Sequence, residues 1–152
     1  MKRRIFLKTS LAGTLAAFSA FLIGQRAAQA AWTAEPFEAK SISEALQRLF
    51  GTDQVASSDA IALRAPKLAE NGAMVPLEVS TTLANVDSLV FFVEGNQAPL
   101  AAMFALSPDA NHTLATRVKM AKSSDVVVVA RAGGKLHSAR ENIKVTIGGC
   151  GG

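Results

Sequence analysis

The chain has 152 residues, 49% of them hydrophobic, with 16 Lys and Arg against 12 Asp and Glu, one Cys and no Tyr. That length allows one small domain. The first 30 residues hold Lys2, Arg3, Arg4, Lys8 and Arg26 and no acid, whereas the remainder holds 11 bases against 12 acids, a net charge of −1. The basic balance therefore belongs to the leader. This excludes a basic nucleic-acid footprint on the folded domain, and the single cysteine excludes an internal disulfide framework.

Residues 1–30 have the layout of an export signal. Met1 to Lys8 is a charged start, Thr9 to Ile23 is an apolar stretch, and Ala28-Gln29-Ala30 supplies the small residues that signal peptidase needs. The apolar stretch, about 15 residues broken by Thr, Ser and Gly, is short of the roughly 20 that a spanning helix requires. Arg3-Arg4 followed by Ile5-Phe6-Leu7-Lys8 resembles the twin-arginine export motif, which carries proteins already folded, often with a cofactor or a bound partner. No cofactor motif follows. The expectation is a periplasmic chain that folds against a second subunit and takes it across.

Cleavage after Ala30 leaves 122 residues. Ala31 to Lys40 reads as an extended lead-in. Ser41 and Glu44 form a capping box, Ile42, Ala45, Leu46, Leu49 and Phe50 share one helical face, and Gly51 stands where the helix stops. From Ala60 the pattern changes to short strands: Ala60–Leu63, Met74–Thr82 after the Asn71-Gly72 turn, Leu89–Val93, Ala101–Leu106, Leu114–Met120, Asp125–Ala130 before Gly133-Gly134, Lys135–Arg140 and Ile143–Ile147. About seven strands joined by turns predict an antiparallel, immunoglobulin-like sandwich. Pro76 inside a strand pattern predicts an edge strand or a bulge. That edge and the apolar hairpin Val126 to Ile147 are the expected partner interface.

The chain ends Val145-Thr146-Ile147-Gly148-Gly149-Cys150-Gly151-Gly152, with four glycines around the only cysteine. Glycine has the widest conformational freedom, so 148–152 reads as a thin, flexible arm. A thiol there can enter a narrow pocket of another protein but has nothing to fix its own geometry. No base is near it in sequence, and an unperturbed thiol, with pKa about 8.5, is only a few per cent thiolate at neutral pH. This suits a carried group whose reactivity the partner supplies.

The Arg3-Arg4 leader, the short helix, the strand pattern and above all the Gly-Gly-Cys-Gly-Gly ending resemble the SoxY family, the sulfur-carrier subunits of the periplasmic Sox thiosulfate-oxidising system. The resemblance implies a carrier rather than an enzyme. Cys150 would be the covalent attachment site for sulfur, and Gly148, Gly149, Gly151 and Gly152 the arm. No cofactor beyond that adduct is implied. It further implies a heterodimer with a SoxZ-like subunit, and transient docking to a haem-containing thiosulfate-coupling enzyme, a sulfate thiohydrolase and a sulfane dehydrogenase. Nucleic acid, and membrane after leader removal, are not expected partners. Where the family often has an aromatic, this chain has Lys135-Leu136-His137, a difference that bears on partner contacts. The resulting division is 1–30 twin-arginine signal, 31–147 immunoglobulin-like carrier domain and 148–152 arm.

Carriers that end in Gly-Gly and work as terminal thiocarboxylates use a β-grasp fold in the cytoplasm, which an exported chain with one short helix fits badly. An exported immunoglobulin-like binding module with an incidental or disulfide-forming thiol is the alternative function. His112 and His137 have no Cys or acid at ligand spacing, so no metal site is expected. Trp32, just after the cleavage site, reads either as a partner anchor or as cover for the sandwich edge.

Overall fold

The computed structural model describes residues 34–107, 110 and 112–146. All of these fall in one unit that begins at Ala34. The leader residues Arg3, Arg4, Ala28 and Ala30, and Trp32, lie outside the described residues.

The first described element is a single 3-10 turn, Glu35–Glu38, where an extended lead-in was expected. Pro36 pre-sets the backbone for such a turn, and the Arg48 guanidinium donates to the Glu35 carbonyl. Helix α1 then spans Ile42–Phe50. Ser41 caps it by accepting the Glu44 N–H at 3.1 Å. The Glu44 carboxylate reaches back to the Lys40 N–H at 2.8 Å, one residue earlier than a standard capping box, and pairs with Arg48 one turn on. Gly51, at φ +71°, ends the helix and donates to the Gln47 carbonyl.

Nine strands follow: β1 (Val55–Ser57), β2 (Ile61–Arg64), β3 (Leu68–Ala69), β4 (Val75–Thr81), β5 (Val86–Val93), β6 (Leu100–Ala105), β7 (Thr113–Val118), β8 (Ser124–Ala132) and β9 (Lys135–Val145). The two last strands expected from sequence are one, because β9 pairs without a break along β8. Gly133 and Gly134, both at positive φ, close that hairpin as a two-residue turn. β1 and β3 are three and two residues long and pair in parallel with β9.

The strands form two sheets, one in the order β1-β9-β8-β5-β6 with β3 also on β9, the other β2-β4-β7. The result is a mainly-β, immunoglobulin-like sandwich with α1 as a third layer. Leu89, Phe91, Val93, Val126, Val128 and Ile143 face the smaller sheet, where Val75, Leu77 and Val79 meet them. Val90, Phe92, Leu100, Val127, Val129 and Leu136 point the other way, against Ala45 and Leu46 of α1. With both faces covered, β5 and β8 carry apolar side chains at every position of Leu89–Val93 and Val126–Ala130, which accounts for the run of four valines. Those residues are core. The apolar run of the hairpin from Val126 is therefore spent inside the chain, and the expectation that it offers a partner interface is overturned.

The expectation for Pro76 also fails, since β4 is the middle strand of its sheet. Thr81 donates to the His112 carbonyl beside β7 and Thr82 to the Ala60 carbonyl beside β2, so even-numbered residues of β4 point their amides toward β2. β2 ends at Arg64, opposite Glu78. Pro76 lies beyond that end, so its missing N–H breaks no ladder bond.

Asp87 and Arg131 join β5 to β8 at 2.6 Å, and the same guanidinium lies 5.0 Å from the Phe50 ring centre, tying α1 to the sheet. Burial pushes the Asp87 carboxyl up, but the bonds from Arg131 and Ser88 and the Arg131 charge outweigh it and hold its pKa below the usual value. Among the described residues no helix is long and apolar enough to cross a membrane.

Candidate functional site

The glycine arm follows β9, so the site is built from what holds the end of that strand. Ile143 is fully buried. Beyond it, amides point alternately to the two sides, and each finds a partner. Lys144 donates to the Lys67 carbonyl at 3.1 Å and Thr146 to the Ala69 carbonyl at 3.1 Å. The Thr146 hydroxyl reaches the Glu70 carbonyl at 3.3 Å. On the opposite side the Ser123 hydroxyl accepts the Val145 N–H at 2.9 Å and donates to the Val145 carbonyl at 3.4 Å.

The gripping segments are themselves braced. Lys67 pairs with Glu141 of β9 at 2.6 Å. The Gly72 carbonyl accepts the Met120 N–H at 2.7 Å, and a Cβ at Gly72 would stand 2.6 Å from the Met120 carbonyl oxygen and 2.8 Å from Val145 Cγ1. Only a residue without a side chain lets the β3–β4 turn close on the end of β9. Asn96 ties the neighbouring loop down, donating to the Lys119 carbonyl and accepting from the Ala121 N–H. The backbone is thus held on both sides through Thr146, the last described residue of β9's end. Sequence reading expected anchorage to Ile147, which lies outside the described residues.

Cys150, Gly148, Gly149, Gly151 and Gly152 also lie outside them. Charge at the root is mostly positive: Lys119, Lys122 and Lys144 are exposed and form no ion pair among the described residues, against one exposed acid likewise in no ion pair there, Glu70. Of the histidines, His112 offers its carbonyl to Thr81, while His137 is half-buried on β9 opposite Ala130, beside a shallow 420 Å³ hollow with Val55 and Leu136. No group of three or more His, Cys, Asp or Glu among the described residues could hold a metal ion. Ser123, Lys67 and Gly72 were missed from sequence. The Asn71-Gly72 turn was legible, but its closure on Val145, 73 residues away, carries no local signal.

A family model described as sulfur oxidation protein SoxY matches residues 46–150, ending on the cysteine. The solved structure of the sulfur carrier protein SoxY from Chlorobium limicola f thiosulfatophilum is 38% identical, with a TM-score of 0.62 over 68% of this chain and 94% of that one. A superoxide reductase (neelaredoxin) from Ignicoccus hospitalis has a TM-score of 0.54 at 15% identity, over 60% of this chain and 95% of its own, a likeness of fold alone. No curated protein matches. With more than two thirds of its length matched by the family model and a solved SoxY sharing its sandwich, this chain belongs to the SoxY family of sulfur oxidation proteins.

Proposed function

We propose that this chain is a periplasmic sulfur carrier that holds the intermediates of thiosulfate oxidation on Cys150 and presents them to separate enzymes. The observation that carries the reading is that the family match runs to Cys150 itself, five residues past the end of β9, which is gripped from both sides. A fixed root and a glycine-flanked thiol suit delivery of one sulfur atom to several pockets.

Joining the Cys150 sulfur to the sulfane sulfur of thiosulfate forms an S–S bond and releases the thiol proton and two electrons, which a haem enzyme accepts. Water then attacks the terminal sulfonate, sulfate leaves, and a persulfide remains on the cysteine. A sulfane dehydrogenase oxidises that outer sulfur to a sulfonate, with three waters supplying the oxygens, seven protons released and six electrons passed to the dehydrogenase and its electron acceptor, and a second hydrolysis releases sulfate and returns the thiol. Each oxidised adduct is an anion, which the exposed lysines at the root favour. The twin-arginine leader and Ala28-Gln29-Ala30 fit export of the folded chain together with a SoxZ-like subunit. Replacing Cys150 with Ser in the producing organism tests the reading: thiosulfate-dependent oxygen uptake is expected to disappear while folded protein persists in the periplasm. Undiminished uptake would contradict it.

A further inference from the structure

We infer that Leu68 and Met74 are the docking residues on which the active-site rim of a sulfur-transferring enzyme rests while it takes the arm, an inference that relies on the carrier reading of Cys150. Four Cα steps lead from Thr146 to Cys150, so the Cys150 Cα extends at most about 14 Å from the last held residue. Any enzyme that receives it must bring its rim within that distance of Thr146.

The surface available there is defined by the segments that grip the root. Thr146 is bonded to Ala69, the residue after Leu68, and Gly72, packed against Val145, is two residues before Met74. Two Cα steps cover no more than about 7.6 Å, so both residues stand close to the root of the arm, where the enzyme must approach. Leu68 and Met74 are 55% and 58% exposed and are the exposed large hydrophobic residues of the described structure. Of the apolar side chains near them, Met120 and Ile143 are buried and Val145 is half-buried. Unpartnered Leu and Met at this one place, and not elsewhere, are what a contact surface presents before its partner arrives.

The chemistry of the occupant follows from the neighbours. Leu68 lies in register with Lys144, and Lys119 and Lys122 flank Met120, all exposed, against one exposed acid, Glu70, in the chain between Leu68 and Met74. The fitting rim is apolar where it meets Leu68 and Met74 and acidic around that contact. Methionine's flexible thioether suits a surface that must serve more than one enzyme.

The test uses the carrier as isolated with its partner subunit, loaded on Cys150 with thiosulfonate, and the sulfate thiohydrolase of the same organism. Sulfate release is measured against carrier concentration for the native protein, for L68D/M74D, for L68A/M74A, and for a synthetic peptide of residues 146–152 carrying the same adduct. The native carrier is expected to exceed the peptide in kcat/KM by at least about tenfold. L68D/M74D is expected to fall to the peptide's value through a raised KM, with kcat retained at saturation, and L68A/M74A to lie between. Thermal unfolding by circular dichroism checks that both variants stay folded. A KM equal to the native one in both variants overturns the inference. So does a variant that loses its partner subunit, or a self-association, on size exclusion, because the surface then belongs to that contact. Sulfate release from a Cys150→Ser carrier would instead overturn the carrier reading.

Discussion

Replacing Gly72 with Ala tests whether the root of the arm is held as described. The new methyl would stand 2.6 Å from the Met120 carbonyl oxygen and 2.8 Å from Val145 Cγ1. Neither neighbour can swing aside: the first is backbone, the second is packed against the sandwich core. Overpacking of this kind costs about 1–3 kcal/mol. Displacing the β3–β4 turn also weakens the 2.7 Å bond from Met120 to Gly72, worth about 1 kcal/mol. The expected loss is about 2–4 kcal/mol, which for a domain of this size lowers Tm by roughly 10 °C. Thermal unfolding followed by far-UV circular dichroism measures it, and hydrogen exchange should show faster loss at the Val145 and Thr146 amides. Gly133→Ala is the control: at φ +55° with nothing within 4 Å, its new Cβ meets only backbone strain of about 1–2 kcal/mol. A Gly72→Ala protein melting within about 2 °C of native would refute the close packing at the root.

Phe92→Ala, in the layer beneath α1, is expected to cost about 3–5 kcal/mol in urea unfolding, because the side chain is fully buried between sheet and helix. Ser41→Ala removes the cap on Glu44 and should cost about 1 kcal/mol in the same assay. Asp87 has its pKa lowered in the folded state, so the unfolded chain binds its proton first; its contribution is present above the ordinary value of 3.8 and lost as pH falls through the lower folded value. Asp87→Asn should therefore reduce stability at neutral pH and flatten its decline on acidification, read from urea midpoints between neutral pH and pH 3.

Local signals made the helix legible. Ser41, Glu44 and Gly51 are short-range instructions, and the observed helix begins and ends at them. The period-two pattern of Val75, Leu77 and Val79 located β4 but not its neighbours, because alternation describes a face and not a pairing. Pro76 shows the consequence: a proline tolerated in a middle strand only because β2 stops two residues short of it. The valines of β8 marked a strand, yet whether such a run is core or interface depends on a helix that ends at Phe50, 76 residues before Val126. β1 and β3 are too short for any periodicity and exist because β9 offers them an edge. At the site, the cysteine and its glycines stood out in the sequence, whereas the grip of Ser123 and the β3–β4 turn on β9 came only with the fold.

The central claim is that sulfur travels on Cys150, and intact mass of the mature protein tests it most directly. Protein purified natively from thiosulfate-grown cells, before and after reductant, is compared with Cys150→Ser. Mass increases matching sulfane, sulfonate or thiosulfonate groups are predicted, with the sulfane-linked ones removed by reductant and all of them absent from the variant. An unmodified thiol or a self-disulfide alone would contradict the account.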